Sequence, residues 1–249
     1  MLAEQKIIDR LSKHDFIRFG QEYGPTIFDD LLDSHHHNPS VALHHFMQEM
    51  VSLSETFSFV DSAIFDALDK RSDAQLTRPH CAIIEIQKLM FISAVEFFRR
   101  YLITVLYEAL RGDPKKFANI LKPDLRDREI LGFQDPEYYH AIDEYCRFGF
   151  VRLNENVMRD FNLEFFPHKL TIGKITRIFE MRNCAVHNNS QKTKRFLDKV
   201  GSKFDKKVMP QGAIKKPDLF RTMRYFVTIA WDIDTRFCNE HSIGRVLLD

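Results

Sequence analysis

Between His80 and Arg111 the sequence leaves little freedom of conformation. Ile86, Leu89, Met90, Val95, Phe97, Phe98, Leu102, Val105, Leu106 and Leu110 recur at helical spacing and cover more than one face. A helix that is apolar over so much of its circumference has to be buried by its neighbours. Gly112-Asp113-Pro114 ends it. Its most apolar window, Leu89 to Val95, lies between Lys88 and Glu96. That is far short of the roughly 20 apolar residues a membrane helix needs, so no membrane association is expected.

The segments around it read as helices too. Pro39-Ser40 opens a second long helix, since proline suits a first helical turn. Its apolar face carries Val41, Phe46, Met50, Leu53, Phe57, Val60, Ile64 and Leu68. A polar link follows from Asp69 to Pro79. Glu137–Phe150, extending to Phe161, Thr171–His187, and a terminal helix after Pro217 with Asp218 as N-cap complete the long elements. The terminal stripe is Leu219, Met223, Phe226, Val227, Ala230, Ile233 and Phe237. Shorter helices are predicted at Ala3–Ser12, Thr26–Leu32 and Phe117–Leu121, with a loop from Asp33 to Pro39. Glycine and proline are scarce, at 9 each in 249 residues, which disfavours a fold of many short strands. The 23 phenylalanines suit the wide spaces between packed helices. The expected class is all-α, with a helical N-terminal region at 1–78 and a second helical domain at 79–249.

Global charge, +1, names no partner. Its distribution is more informative. The segment from Gln191 to Lys216 carries nine basic residues against Asp198 and Asp205, so it holds +7 and the remainder holds −6. Such a stretch can attract a polyanion. Cys81, Cys146, Cys184 and Cys238 form no C-x-x-C pair and read as reduced thiols of a cytoplasmic protein. Met1-Leu2-Ala3-Glu4 lacks the basic-then-apolar layout of a signal peptide.

Arg182, Asn183 and His187 carry the candidate chemistry. Asn183 and His187 are four residues apart and share a helix face, and the long Arg182 side chain can reach around. The chain turns at Asn188-Asn189-Ser190, which places the imidazole at a helix end. RNA cleavage needs little more than such a set. An imidazole titrates ordinarily near about 6.5 and moves protons at neutral pH. A guanidinium grips phosphate oxygens with its fork. An asparagine can orient either group, and no metal or cofactor is required.

These residues, read in context, resemble a known family. Arg182-Asn183-Cys184-Ala185-Val186-His187 is similar to the R-x4-H motif of HEPN (higher eukaryotes and prokaryotes nucleotide-binding) ribonucleases, in which a polar residue commonly follows the arginine. Flanking residues Phe179-Glu180-Met181, Asn188-Asn189 and Phe196-Leu197 extend the likeness. The helix around Ser93–Leu102 looks like the first core helix of these domains, and Asp218–Glu240 looks like the last. The resemblance implies a HEPN-like helical bundle over 79–249. It implies a metal-independent endoribonuclease, with Arg182, Asn183 and His187 as catalytic residues, leaving a 2′,3′-cyclic phosphate and a 5′-OH. It also implies a homodimer that joins two motifs in one cleft, and a role in toxin–antitoxin or antiviral defence with an antitoxin or regulatory partner. Lys192, Lys194, Arg195 and Lys199, directly after the motif, are the candidate RNA-backbone contacts. Some family toxins carry a tyrosine two residues after the histidine, where an antitoxin attaches nucleotides. Here Asn189 stands in that place, which argues against that form of control.

Each of these residues also has an unremarkable reading. Burying Arg182 unpaired would be costly, so a salt bridge to Glu180, Asp198 or another acid competes with a functional cleft. His187 suits a helix C-terminus as a cation. The basic run reads equally as solvated surface. Cys184 and His187 lack the orienting third group of a thiol nucleophile. The histidines His35, His36, His37, His44 and His45 read as a solvated loop and helix start rather than a metal site. A non-catalytic HEPN-like module that binds protein or nucleotide is the second functional reading.

Overall fold

A computed structural model describes residues 39–69, 77–111, 136–147, 149–187, 194, 196, 198 and 216–241. Among these residues the chain is all-α, with six helices and no strand. They are α1 (Val41–Asp69), α2 (Thr77–Arg111), α3 (Pro136–Cys146), α4 (Phe150–Phe161), α5 (Lys169–His187) and α6 (Lys216–His241). The helices expected at Ala3–Ser12, Thr26–Leu32 and Phe117–Leu121 lie outside the described residues.

Helix α2 is the axis, as its circumferential apolar pattern requires. It packs against α1, α6, α5 and α3, while α4 joins α5 and α3. Phe98 stacks on Phe226 of α6 at 4.2 Å and 3°, and Tyr101 Oη donates to the Ala230 carbonyl at 2.7 Å, so α2 and α6 run in parallel. Ser40 bonds to Asp234 and Phe57 meets Phe220, so α1 runs opposite to α6. Phe98 meets Phe179, and Glu96 meets Arg182, so α5 also runs opposite to α2. Residues of all six helices join one buried apolar cluster, α3 through Ile142. The expected division at 78/79 falls in the first turn of α2.

Local chemistry sets the helix ends. The Leu43 amide donates to Ser40 Oγ at 3.0 Å, which makes Ser40 the N-cap of α1. The same hydroxyl and the Ser40 amide both bond to the fully buried Asp234 carboxylate, tying the start of α1 to the end of α6. Val41 was expected on the apolar face but is exposed. Phe46 lies five positions further on, which turns Val41 about 140° away from it. Leu43, Phe46, Met47, Met50 and Phe57 form the inward face. The single helix expected from Glu137 to Phe161 is two helices. Gly149 adopts φ +88 and ψ 156, a conformation open to glycine at little cost, and the chain turns there. Asn162 then ends α4 in the left-handed conformation, its amide donating to the Met158 carbonyl at 3.0 Å. Asp218 lies inside the first turn of α6, which starts at Lys216, so it complements the helix dipole instead of capping. The terminal stripe from Leu219 to Phe237 is buried throughout, as its spacing predicts.

Candidate functional site

Helix α5 carries the three motif residues on its last turns and ends at His187. Ile175, Ile178, Cys184 and Ala185 hold it to the core. Phe179 is half-buried between Phe98 and Phe150, 4.6 Å from the latter ring. Val186, expected on the buried side, is instead 42% exposed, while Glu180 is buried. The inward face is thus rotated away from Val186, which lies one turn beyond Arg182 on the same side of the helix.

Arg182 is half-buried and makes the salt bridge that its burial requires. Its Nη2 pairs with Glu96 of α2, and its Nη1 donates to Asn183 Oδ1 at 3.2 Å. Its Nε is buried without a hydrogen-bond partner among the described residues. Asn183 therefore orients the guanidinium. His187 is exposed at the helix end. On a continuous helix Arg182 and His187 diverge by about 140°, and the structure keeps that helix continuous. The arginine turns toward α2, and within one chain its head and the imidazole are carried on different sides of α5.

The pair with Glu96 extends into a chain of charges. Glu96 also accepts from Arg99 Nη1 at 3.5 Å. Arg99 Nη2 pairs with the buried Asp143 of α3. Asp143 in turn accepts from Arg147 Nε at 2.9 Å and Nη2 at 2.6 Å. Among the described residues, three guanidiniums thus meet two carboxylates in these contacts, and such an arrangement along a half-exposed edge favours an anion. Sequence reading placed Glu96 and Arg99 on the core helix but assigned neither a task. The available signal was a charge within a helix that is apolar on more than one face, which is rarely left without a partner.

Among the candidate RNA contacts, Lys194 is exposed and helical, while Lys192, Arg195 and Lys199 lie outside the described residues. Phe196 is buried and Asp198 is exposed, so in this segment the aromatic turns inward and Lys194 and Asp198 share the outer side. Cys146 and Cys184 are poor nucleophile candidates. Cys184 is buried. Burial and the neighbouring Asp143 push the Cys146 thiol far above its usual range, against the opposing pull of Arg99. His44 and His45 lie with ring centroids 6.1 Å apart, and His35, His36 and His37 lie outside the described residues. No cluster of three or more His, Cys, Asp or Glu able to hold a metal occurs among the described residues. No helix there is long and apolar enough to cross a membrane. Comparison with known proteins finds no matching family model, no matching curated protein and no matching solved structure.

Proposed function

We propose that this chain is a HEPN-like, metal-independent endoribonuclease of the cytoplasm. The observation that carries the reading is the end of α5, where a guanidinium oriented by Asn183 joins a chain of three guanidiniums and two carboxylates and an exposed imidazole closes the helix. Arg182 stabilises the charge that develops on the scissile phosphate, and Asn183 and Glu96 hold its head in place. His187 takes the proton of the ribose 2′-OH as that oxygen attacks phosphorus, or returns a proton to the departing 5′-oxygen. The products are a 2′,3′-cyclic phosphate and a 5′-OH. Lys192, Lys194, Arg195 and Lys199 hold the RNA backbone.

Two features support a homodimeric site. The divergence of Arg182 and His187 on one helix is relieved if a second copy supplies the missing group. The antiparallel register of α2 and α5 also brings Leu89 and Val186 to the same end of the bundle as His187, and both are exposed apolar residues, 59% and 42%. Exposed apolar side chains beside a polar site suit a protein interface. The biological setting that fits is a toxin or antiviral defence system restrained by an antitoxin or other regulatory protein.

The test is cleavage of single-stranded RNA in EDTA, with end-group analysis of the products. The parent chain should cut and leave cyclic phosphates, and Arg182→Ala and His187→Ala should not. Equal cutting by all three would sink the mechanism.

A second reading is favoured by one observation. Arg182 is already neutralised by Glu96, which is how a structural arginine behaves. On that reading the domain is a non-catalytic protein- or nucleotide-binding module. Arg182→Ala then lowers the melting temperature, and no preparation cuts RNA.

A further inference from the structure

Each carboxylate of the ionic edge is shared by two guanidiniums. Glu96 pairs with Arg182 and Arg99, and Asp143 pairs with Arg99 and Arg147. Asp143 is the buried member, with 8% of its side chain exposed. One guanidinium is enough to neutralise a buried carboxylate. The second comes from Arg147, directly after α3, and it has donors to spare. A guanidinium carries five N–H groups. Arg147 gives Nε and Nη2 to Asp143, and its Nη1 has no acceptor among the described residues. More than half of its side chain, 55%, stays exposed.

These two arginines are held still before any ligand arrives. A free surface arginine gives up rotamer freedom when it grips an anion. Arg99 and Arg147 have already given it up to Asp143, one on each carboxylate oxygen. Planar forks fixed in this way suit phosphate oxygens. Their place along α2 points to a particular phosphate. Helix α5 runs opposite to α2, so His187, five residues past Arg182, lies toward the N-terminal end of α2. Arg99 lies three residues past Glu96 in the other direction, about 4.5 Å along the axis. The imidazole and the Asp143 arginines thus stand on opposite sides of Arg182. A strand whose scissile phosphate sits at Arg182 brings a neighbouring phosphate toward Asp143.

We infer that Arg99 and Arg147, preset by Asp143, form a second phosphate subsite, which binds the phosphate next to the scissile one in single-stranded RNA. The choice of that neighbouring phosphate rests on the ribonuclease reading, and the subsite itself does not.

Arg147→Gln tests it in the full chain, because it removes the charge and keeps a donor for Asp143. Arg221→Gln is the control, an arginine of similar exposure (47%) on α6 and outside the ionic edge. Cleavage in EDTA is compared between a sequence-randomised dinucleotide with one phosphodiester and the same dinucleotide carrying a 5′- or a 3′-terminal phosphate. In the parent and the control, one of the two terminal phosphates should raise kcat/KM about 10-fold, through KM. In Arg147→Gln that ratio should fall close to one. No advantage in the parent, or an undiminished advantage in Arg147→Gln, overturns the inference. Binding separates the subsite from the chemistry. A 2′-O-methyl oligonucleotide cannot be cut by 2′-OH attack, and each phosphate contact to a single strand adds about 0.7 to the slope of log affinity against log salt. Arg147→Gln should lose about 0.7 of that slope, and Arg221→Gln none of it. A parent that cuts no substrate while Arg147→Gln still loses slope removes the ribonuclease reading and keeps the subsite. No binding by the parent, an unchanged slope in Arg147→Gln, or an equal loss in Arg221→Gln overturns the subsite.

Discussion

Helix α2 is held in two different ways on two of its sides. Toward α1 and α6 it presents Phe98 and Tyr101, which meet Phe46, Phe226 and the Ala230 carbonyl in a dry aromatic core. Toward α3 and α5 it presents Glu96 and Arg99, which meet Arg182 and Asp143 in a half-exposed ionic edge. The two sides contribute to stability very unequally. Fully burying one large apolar side chain is worth about 1.5–3 kcal/mol, and a stacked aromatic pair adds about 0.5–1.5. Half-exposed ion pairs give about 0–1 kcal/mol each. The aromatic side is enough to hold the bundle. The ionic edge adds little to that, and what it does provide is a fixed position for Arg182.

This contrast orders the expected effects. Phe98→Ala should cost the most, about 3–5 kcal/mol in denaturant unfolding, because the ring touches three neighbouring helices through Phe46, Phe179 and Phe226. A loss below about 1 kcal/mol would mean that the aromatic side does not carry the fold. Ser40→Ala should cost about 1–3 kcal/mol, since it removes the cap of α1 and one partner of the buried Asp234 carboxylate. Glu96→Gln should cost under about 1 kcal/mol in the same unfolding assay. It should nevertheless slow RNA cleavage about 10–100-fold, because a guanidinium misplaced by an ångström loses much of its effect. If unfolding and cleavage fall together, or if neither changes, the two sides of α2 do not divide the work in this way.

The smallest effect concerns pH. Burial alone would raise the Asp160 carboxyl, but hydrogen bonds from Arg159 and Tyr145 outweigh it and hold the group below its ordinary range. A carboxyl lowered on folding stabilises above its unfolded value, near about 3.9, and loses that contribution as pH falls through the lower folded value. Asp160→Asn should therefore cost under about 1 kcal/mol at pH 7, given the exposure of the Arg159 pair, and nothing in strong acid. A cost that grows on acidification would reverse the assignment.

The same contrast explains what could be read from the sequence. Apolar periodicity reports burial, so α2 from Met90 onward and the stripe of α6 were legible almost residue by residue. The ends were less so. Gly149 within a helical pattern costs only about 1 kcal/mol relative to alanine, too little to mark a break by itself, and its positive φ is a tertiary fact. Val41, Leu89 and Val186 were expected on buried faces yet are exposed, because the packing of neighbouring helices decides which edge of a stripe faces inward. The ionic edge was not legible as a unit. Arg182, Asn183 and His187 stand together in the chain and could be recognised, whereas Glu96 and Asp143 come from distant helices and carry no local pattern. Spacing alone also suggested that Arg182 could reach around to the face of His187. In the structure its head is turned toward α2 by Glu96.

The decisive measurement sets cleavage beside stability for one substitution, His187→Ala. The imidazole is exposed at the end of α5, so its loss should leave the melting temperature within about 1 °C of the parent. Cleavage of single-stranded RNA in EDTA should fall at least about 100-fold. Unchanged cleavage, or a loss of cleavage matched by a comparable loss of stability, would contradict the assignment of the α5 terminus as the catalytic centre.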